Sequence, residues 1–313
     1  MKEFVLNYYP NFKCIASECK HTCCAGWQMN IDEKSLARYK GEKSSFSQEL
    51  NKGINFKKSQ FKADKSGRCA FLNQKGLCEI IINLGVESLC QVCRDHPRFR
   101  SFLADRVEMG LGFSCEEVAR LILSYKGKIE PIMVSCDGKE ENLSFVQEKV
   151  LEFRKKAIDI IQNRAISPSE RLETLLKECS ASLSEKDGVK IVKAFLSLER
   201  LDKAWAKRLK KIKKIPFNIK VDEKQALYFE QFMVNCLYRH LPNAEDTLAV
   251  RGITLFCVLS WWVVQSILEQ ERLECEDGFA VVCDIVRQFS AEVEYSQKNL
   301  DKLFNFAYKF IKL

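Results

Sequence analysis

The sequence predicts a mainly α protein in which a loop-rich, cysteine-rich, metal-binding N-terminal domain is followed by an all-helical C-terminal domain. Nine of the fifteen cysteines and nine of the thirteen glycines lie in the first 135 residues, where the apolar runs are short and interrupted. From about residue 140 onward, apolar residues recur at the spacing of amphipathic helices. We therefore place the two domains at residues 1–135 and 136–313.

The composition is that of a folded, globular chain. Hydrophobic residues make up 46% and charged residues 29% of its 313 positions, which excludes a disordered protein. The net charge of +8 is spread along the chain and suits an acidic partner or anionic cofactor without requiring one. The N-terminal residues lack the apolar core and cleavage site of a secretory signal, so we expect a cytoplasmic protein. The most apolar stretch, residues 253–268, is short for a membrane span and predicts a buried helix.

Capping residues mark where several helices begin. Asp32 predicts one helix start, Ser114 or Cys115 another, and Ser167 and Asp222 each open a capping-box sequence. Residues 43–65 are polar and weakly patterned, which predicts a loop between the two cysteine groups. The last helical segment is expected to break near Ser290. The helical segments expected beyond residue 140 are 142–164, 168–183, 188–212, 223–240, 246–269 and 277–310.

The N-terminal cysteines fall into two groups and a singleton, a distribution typical of ligands rather than of scattered core thiols. In a reducing compartment such cysteines are metal ligands or reactive thiols more often than disulfides, and their odd total argues against a complete disulfide framework. The two-residue gap in the second group recurs at zinc and iron–sulfur sites. The sequence therefore predicts a cysteine-ligated metal centre. Its candidate ligands are Cys14, Cys19, Cys23 and Cys24, then Cys69, Cys78, Cys90 and Cys93, and finally Cys115.

The spacing leaves the metal and the ligand set open. Four thiolates suit either a structural zinc or an iron–sulfur cluster, and nine exceed what one four-ligand site needs. Two sites, cysteines outside the coordination sphere, or a Cys23–Cys24 pair that points two ways would each explain the excess. His21 and His96 can add nitrogen ligands, although local hydrogen bonding is the favoured role for both. The later cysteines occur singly in apolar helical surroundings and are predicted to be buried structural thiols: Cys136, Cys179, Cys236, Cys257, Cys275 and Cys283.

Two basic segments suggest binding roles. Arg94 and Arg98, with Arg100, flank Cys93 and can pair with the carboxylate of a cofactor, or else offset thiolate charge. A second segment can dock an acidic protein surface or nucleic acid, but a solvated helix face is favoured and nucleic acid is not expected as a partner. The oligomeric state is not predicted. This second segment contains Lys203, Lys207, Arg208, Lys210, Lys211, Lys213 and Lys214, interleaved with Trp205, Leu209 and Ile212.

Several blocks between about residues 4 and 125 carry a resemblance to a known family. The first contains Phe12-Lys13-Cys14, Cys19, Thr22-Cys23-Cys24-Ala25-Gly26-Trp27 and Ile31-Asp32. The second contains Cys69-Ala70-Phe71-Leu72, Gly76-Leu77-Cys78-Glu79-Ile80, Gly85, Leu89-Cys90 and Cys93-Arg94-Asp95-His96-Pro97-Arg98. The third is Ser114-Cys115-Glu116-Glu117-Val118-Ala119-Arg120. These blocks resemble the flagellin lysine N-methylase family. A broader family, described as zinc- or iron-chelating, shares the doubled cysteine.

The resemblance implies S-adenosylmethionine-dependent methyl transfer to lysine side chains of flagellin by a protein that carries a [4Fe–4S] cluster. The sequence itself does not locate the cofactor, because it has neither a Rossmann-type glycine loop nor the three-cysteine signature of radical enzymes. Tyr8, Tyr9, Asp32 and Asp95 are candidate proton acceptors near the cysteines, and the sequence assigns the role to none of them. The alternatives are a non-catalytic zinc- or iron-binding module and a redox or electron-transfer protein.

Overall fold

The computed structural model of the chain describes residues 1–136, 138, 142–201, 203–217, 221–271 and 278–312. The protein is mainly α, as predicted. The strands are β1 Lys2–Leu6, β2 Ile54–Asn55, β3 Gln60–Phe61, β4 Arg98–Phe102, β5 Arg106–Leu111 and β6 Pro131–Cys136. The α-helices in the described residues are α1 Glu33–Lys40, α2 Ser47–Gly53, α3 Glu79–Leu84, α4 Gln91–Asp95, α5 Glu116–Leu123, α6 Phe145–Ile161, α7 Pro168–Glu178, α8 Asp187–Leu196, α9 Lys203–Lys210, α10 Glu223–His240, α11 Thr247–Glu271, α12 Gly278–Phe289 and α13 Gln297–Ala307.

The chain divides into two compact units. The smaller unit is Lys13–Arg98, and the larger unit combines Met1–Phe12 with Phe99–Leu313. This division differs from the expected boundary at residue 135, because strand pairing joins the first residues of the chain to residues 99–136. The larger unit therefore contains a sheet as well as the helices.

The sheet of the larger unit has the strand order β4-β5-β1-β6. Strand β1 runs parallel to β5, with Lys2 opposite Arg106, and antiparallel to β6, with Lys2 opposite Cys136. Gly110 of β5 lies directly under the ring of Phe99, where a Cβ would overlap the ring. The close approach explains why this position carries glycine.

Helices α10 and α11 lie at the centre of the larger unit. Phe232 of α10 packs against Trp261 of α11 and Phe289 of α12, with ring centroids 5.6 and 5.4 Å apart. Helix α11 is long and apolar enough to cross a membrane by length and composition, with a mean hydropathy of 1.7 in its most apolar window. Most of that window, 78%, is buried within the fold. The predicted buried helix over residues 253–268 is therefore confirmed.

The predicted helix boundaries hold where capping residues marked them. Ser167 and Asp222 each form a capping box with the residue three positions later, at the starts of α7 and α10. The prediction of one helix over residues 188–212 is wrong, because α8 ends at Leu196 and α9 begins at Lys203. The break near Ser290 is confirmed by the π-helical turn Ser290–Glu294 between α12 and α13.

The smaller unit has its own apolar core under α1 and α2. Asp32 caps α1 as predicted, and its carboxylate accepts a hydrogen bond from the Ser35 amide at 2.9 Å. The predicted loop over residues 43–65 is wrong, since this segment forms α2 and the β2–β3 hairpin. The physical reason is a set of apolar side chains that this mostly polar segment buries: Phe46, Leu50, Ile54 and Phe61.

Candidate metal centre

Five cysteines belong to the apolar core of the smaller unit or pack against it. Cys69 and Cys90 are buried there, and Cys24, Cys78 and Cys93 pack against the same cluster of apolar side chains. We call these five residues the thiol cluster. Burial is the main cause of the raised pKa of Cys69, and the charges on Cys24, Cys78 and Cys90 raise it further. The two sequence groups therefore contribute thiols to one apolar core.

Backbone pairing brings Cys24 and Cys78 to the segment that holds Cys69. The amide of Cys69 donates a hydrogen bond to the carbonyl of Cys24 at 2.9 Å, and Cys78 forms an antiparallel bridge with Leu72. Next to Cys24, the amide of Gly26 donates to the carbonyl of Gly67 at 3.0 Å. Both glycines have positive φ, +86° and +82°, a conformation that other residues rarely adopt.

Helix α4 presents the other two thiols of the cluster. Cys90 is its N-cap residue and Cys93 lies in its first turn, so the two-residue gap aims both sulfurs at the same side, where they hydrogen-bond to each other. Helix α1 holds the preceding loop in place. Arg38 donates hydrogen bonds to the carbonyls of Glu87, Ser88 and Leu89, and the Tyr39 hydroxyl donates to the Ser88 carbonyl at 2.6 Å.

The thiols differ in how readily they ionise. The hydrogen bond from Cys23 lowers the pKa of Cys24 to about 7, against the effect of burial and with further help from Thr22 and Arg68. Burial raises the pKa of Cys69 to about 12. The hydrogen bond between Cys90 and Cys93 lowers the pKa of Cys90 and raises that of Cys93, because one proton is shared between two buried sulfurs. Thr22 and Arg68 were not singled out in the sequence analysis, although both adjoin ligand cysteines.

The thiol cluster fits a soft metal by its donor chemistry. In the part of the chain that the structure describes, no three Cys, His, Asp or Glu side chains converge on one point as around a bound ion. The five thiols nevertheless share one apolar core, in which the charges on Cys24, Cys78 and Cys90, after burial, contribute to the raised pKa of Cys69. Four thiolates meet the ligand requirement of a structural zinc or of a [4Fe–4S] cluster.

The other predicted ligands lie outside the thiol cluster. Cys14 is exposed, and its sulfur accepts a hydrogen bond from the Ala16 amide at 3.4 Å. Cys23 is exposed at the edge of the cluster, where it forms a hydrogen bond with Cys24, and Cys19 is half-buried. Cys115 belongs to the larger unit as the N-cap residue of α5. Membership of these residues in a metal site stays a prediction.

The two histidines differ in their surroundings. The His96 ring lies 6.4 Å from the ring of Trp27, whose indole N–H donates to the Cys23 carbonyl at 2.6 Å. Burial, assisted by the charge of Arg98, lowers the pKa of His96 to about 4, so its imidazole is neutral at pH 7. His21 is exposed.

The two arginines predicted to bind a carboxylate both touch the backbone of this region. Arg94 donates to the carbonyl of Leu89 at 3.3 Å, and Arg98 donates to the carbonyl of Arg94 at 3.2 Å. These bonds hold the ends of α4. The carboxylate-binding role of the two arginines stays a prediction.

The remaining cysteines are mostly structural, as expected. Cys179, Cys236, Cys257 and Cys283 are buried in the larger unit. The expectation was wrong for Cys136, which is exposed at the end of β6, a strand at the edge of the sheet. Cys275 lies outside the described residues.

Two further groups of predicted site residues have structural partners in the larger unit. In the basic segment, Arg208 forms ion pairs with Glu271 at 3.1 Å and with Asp284 at 2.7 Å, while Trp205 is buried. The Tyr8 hydroxyl is also buried and donates to Asn235 at 2.6 Å. Tyr8 is therefore a core residue.

The comparisons with known proteins find distant relatives among lysine-N-methylases and a flagellar biosynthetic protein. The chain is 27% identical over 135 residues to the lysine-N-methylases of Salmonella choleraesuis and Salmonella typhimurium, a match that covers 40% of this chain and 34% of each relative. It is equally similar to the flagellar biosynthetic protein FliU of Salmonella muenchen, of which the match covers 80%. The chain thus spans about a third of the length of the lysine-N-methylases that it matches. No family model and no solved structure matches it.

Proposed function

We propose that this protein transfers methyl groups from S-adenosylmethionine to lysine side chains of flagellin and carries a [4Fe–4S] cluster on its thiol cluster. The observation that carries the proposal is that Cys24, Cys69, Cys78, Cys90 and Cys93, from both sequence groups, share one apolar core. The distant similarity to lysine-N-methylases and to a flagellar biosynthetic protein supports the reaction and the substrate.

Four of the five thiols would hold the cluster as thiolates. When bound, a [4Fe–4S] cluster with four thiolate ligands would supply electron transfer. The protein's part is to fix the ligands and limit the access of water. Arg38 and Tyr39 do this from α1, since they fix the loop before Cys90 through its carbonyls.

Recognition of the methyl donor would fall to the basic residues around α4. S-adenosylmethionine carries a carboxylate, which a guanidinium binds through two parallel hydrogen bonds. Arg94 is exposed and Arg98 is half-buried, and each follows Cys93 within five residues. We assign the donor's carboxylate to this pair.

The acceptor lysine must be deprotonated before it attacks the methyl group. Asp32 is unsuited as the base, because both of its oxygens accept backbone hydrogen bonds, from Ser35 and Gln91. Tyr8 is unsuited because its hydroxyl is buried against Asn235. Of the four candidates from the sequence, Asp95 and Tyr9 therefore stay as possible proton acceptors.

A second candidate function is a metal-stabilised module without catalysis. The core of the smaller unit consists of twelve buried residues, two of which are cysteines. A core of this size gives little stability by itself, and small domains of this kind commonly depend on a structural metal. This candidate predicts zinc or iron that stabilises the fold without affecting any reaction.

A transfer assay separates the two candidates. The full chain, prepared without oxygen, is incubated with flagellin from its own source and S-adenosylmethionine that carries a trideuterated methyl group. We expect lysine-bearing flagellin peptides to gain one or more labelled methyl groups, and Cys69→Ala to abolish the gain. Metal-replete protein that neither binds S-adenosylmethionine in calorimetry nor labels flagellin would contradict methyl transfer and favour the structural module.

A further inference from the structure

The larger unit carries a basic groove between α8 and the C-terminal end of the chain. Its cavity has a volume of about 850 Å³. One wall is a stripe on α8 with Lys190, Lys193 and Ser197, and the other is a stripe on α13 and the following 3₁₀ turn with Lys302, Phe306 and Lys309. Each stripe repeats at the three- and four-residue spacing of one helix face. We call this feature the lysine groove.

The positive charge of the lysine groove is largely uncompensated by its own lining. Among the described lining residues the one carboxylate, that of Asp187, pairs with Lys190 at 2.7 Å. Lys302 donates to the backbone carbonyl of Ser197 at 2.5 Å, a contact that bridges the walls without neutralising the charge. Lys309 lies 5.9 Å from the centre of the Phe306 ring. The lining thus carries four lysines against one carboxylate.

The lining of the lysine groove also has an apolar part. Phe306 and Phe310 meet edge to face with ring centroids 5.2 Å apart, and Ala194 lies on the same lining. The amide of Ser182 donates to the carbonyl of Phe310 at 3.0 Å, and Ala181 pairs with Ile311. These backbone contacts fix the two phenylalanines in place. A ligand for this groove therefore needs both negative charges and an apolar face.

We propose that the lysine groove binds an acidic amphipathic helix of a partner protein. Helices recognised in grooves present apolar anchors at this spacing, and glutamates beside the anchors would meet both lysine stripes. The lysines extend over about two turns on the wall with Lys302 and Lys309, roughly 10 Å at the helical rise per residue, and over about one turn on α8. A nucleoside phosphate would instead need donors that converge on one phosphate, a geometry that arginine forks and helix N-termini provide. The described lining has no arginine, and the one helix N-terminus that borders it, that of α8, carries the carboxylate of Asp187, which disfavours a phosphate there.

The test measures binding of a defined peptide to the full chain. The probe is a fluorescein-labelled peptide of roughly 16 residues with leucines on one helical face and glutamates flanking them. The test variant reverses two exposed groove lysines, Lys193→Glu with Lys309→Glu. The matched control makes the same change in charge at exposed lysines of α6 and α7, Lys155→Glu with Lys177→Glu.

We expect saturable binding that weakens as salt rises and falls at least about tenfold in the groove variant but not in the control. Phe306→Ala should also weaken binding, at unchanged circular dichroism. Equal binding by the groove and control variants, equal binding of a peptide with glutamine in place of glutamate, or no binding at all would overturn the proposal. Binding of ATP or tripolyphosphate without binding of the peptide would overturn it in favour of a small-anion site.

Discussion

Asp32 accepts a hydrogen bond from the amide of Gln91 at 2.8 Å, across 59 residues of sequence. Its other carboxylate oxygen caps α1 through the Ser35 amide. One side chain thereby joins the first turn of α1 to the residue that follows Cys90, a member of the thiol cluster. Asp32 is a positioning residue whose effect on the metal site is testable by substitution.

Replacing Asp32 by alanine should loosen the thiol cluster. Asp32→Ala removes both acceptors, and the loss of a cap and one further hydrogen bond to a charged group costs about 1–3 kcal/mol. The urea concentration at the unfolding midpoint and the metal content should both fall relative to the wild type. Asp159→Ala removes a carboxylate from an exposed ion pair with Lys155 and should change neither quantity. Equal effects of the two substitutions would contradict the positioning role.

Gly53 should tolerate no side chain. A Cβ at the end of α2 would overlap the Phe71 ring, which is buried two residues after Cys69. Gly53→Ala should therefore destabilise the smaller unit by about 1–3 kcal/mol through overpacking. Gly41→Ala is the matched control, because its nearest neighbours would lie at 3.5 and 3.7 Å, an ordinary contact distance. Thermal unfolding of both variants checks the prediction, and unchanged stability of Gly53→Ala would refute it.

Metal content should respond to the cysteines of the smaller unit and not to those of the larger unit. Cys69→Ala and Cys93→Ala should each lower bound metal and the stability of the fold, because metal binding contributes folding free energy. Cys257→Ala and Cys179→Ala should leave metal content unchanged although both thiols are buried. Elemental analysis of the purified variants decides the matter. A loss of metal from both pairs would mean that the ligands are wrongly assigned.

The larger unit should lose stability in acid through Glu294. Burial raises the pKa of this carboxyl, but Arg239, with hydrogen bonds from His240 and Ser290, lowers it to about 2. An unfolded glutamate titrates near pKa 4.3, so the stabilisation is complete above about pH 5 and is lost as the pH falls toward 2. Burial also lowers the pKa of His240, so protonation of the unfolded chain below about pH 6.5 adds to the loss.

Glu294→Gln isolates this contribution. The substitution leaves Arg239 without its carboxylate partner and should lower the free energy of unfolding by about 3–5 kcal/mol at pH 7. Between pH 5 and pH 3 the stability of the variant should decline less than that of the wild type. Urea unfolding at a series of pH values measures both effects. A wild-type acid dependence retained in full by Glu294→Gln would assign the effect to other groups.

Local signals in the sequence predicted much of the helical structure. The caps at Asp32, Ser167 and Asp222 were identified because a capping side chain acts within three residues of its own position. The sheet was missed because the pairing of Lys2 with Arg106 depends on contacts about a hundred residues apart. Because of the same strand pairing, residues 1–12 and 99–135 belong to the larger unit and not to the expected N-terminal domain.

The cysteine spacing predicted a metal site but not which cysteines belong to the thiol cluster. Cys23 and Cys24 are adjacent, yet Cys23 is exposed and Cys24 packs into the core with Cys69. Which of the two thiols points inward depends on the backbone turn at Gly26 and on the bond between the Cys69 amide and the Cys24 carbonyl. Spacing alone does not contain that information.

Iron and acid-labile sulfide analysis of protein purified without oxygen tests the central claim, that the thiol cluster holds an iron–sulfur cluster. The account predicts about four iron and four sulfide per chain, a brown colour that fades in air, and loss of all three in Cys69→Ala. Stoichiometric zinc without sulfide would contradict the iron–sulfur assignment while leaving a structural metal site. Protein that folds with neither metal nor sulfide would contradict the metal centre itself.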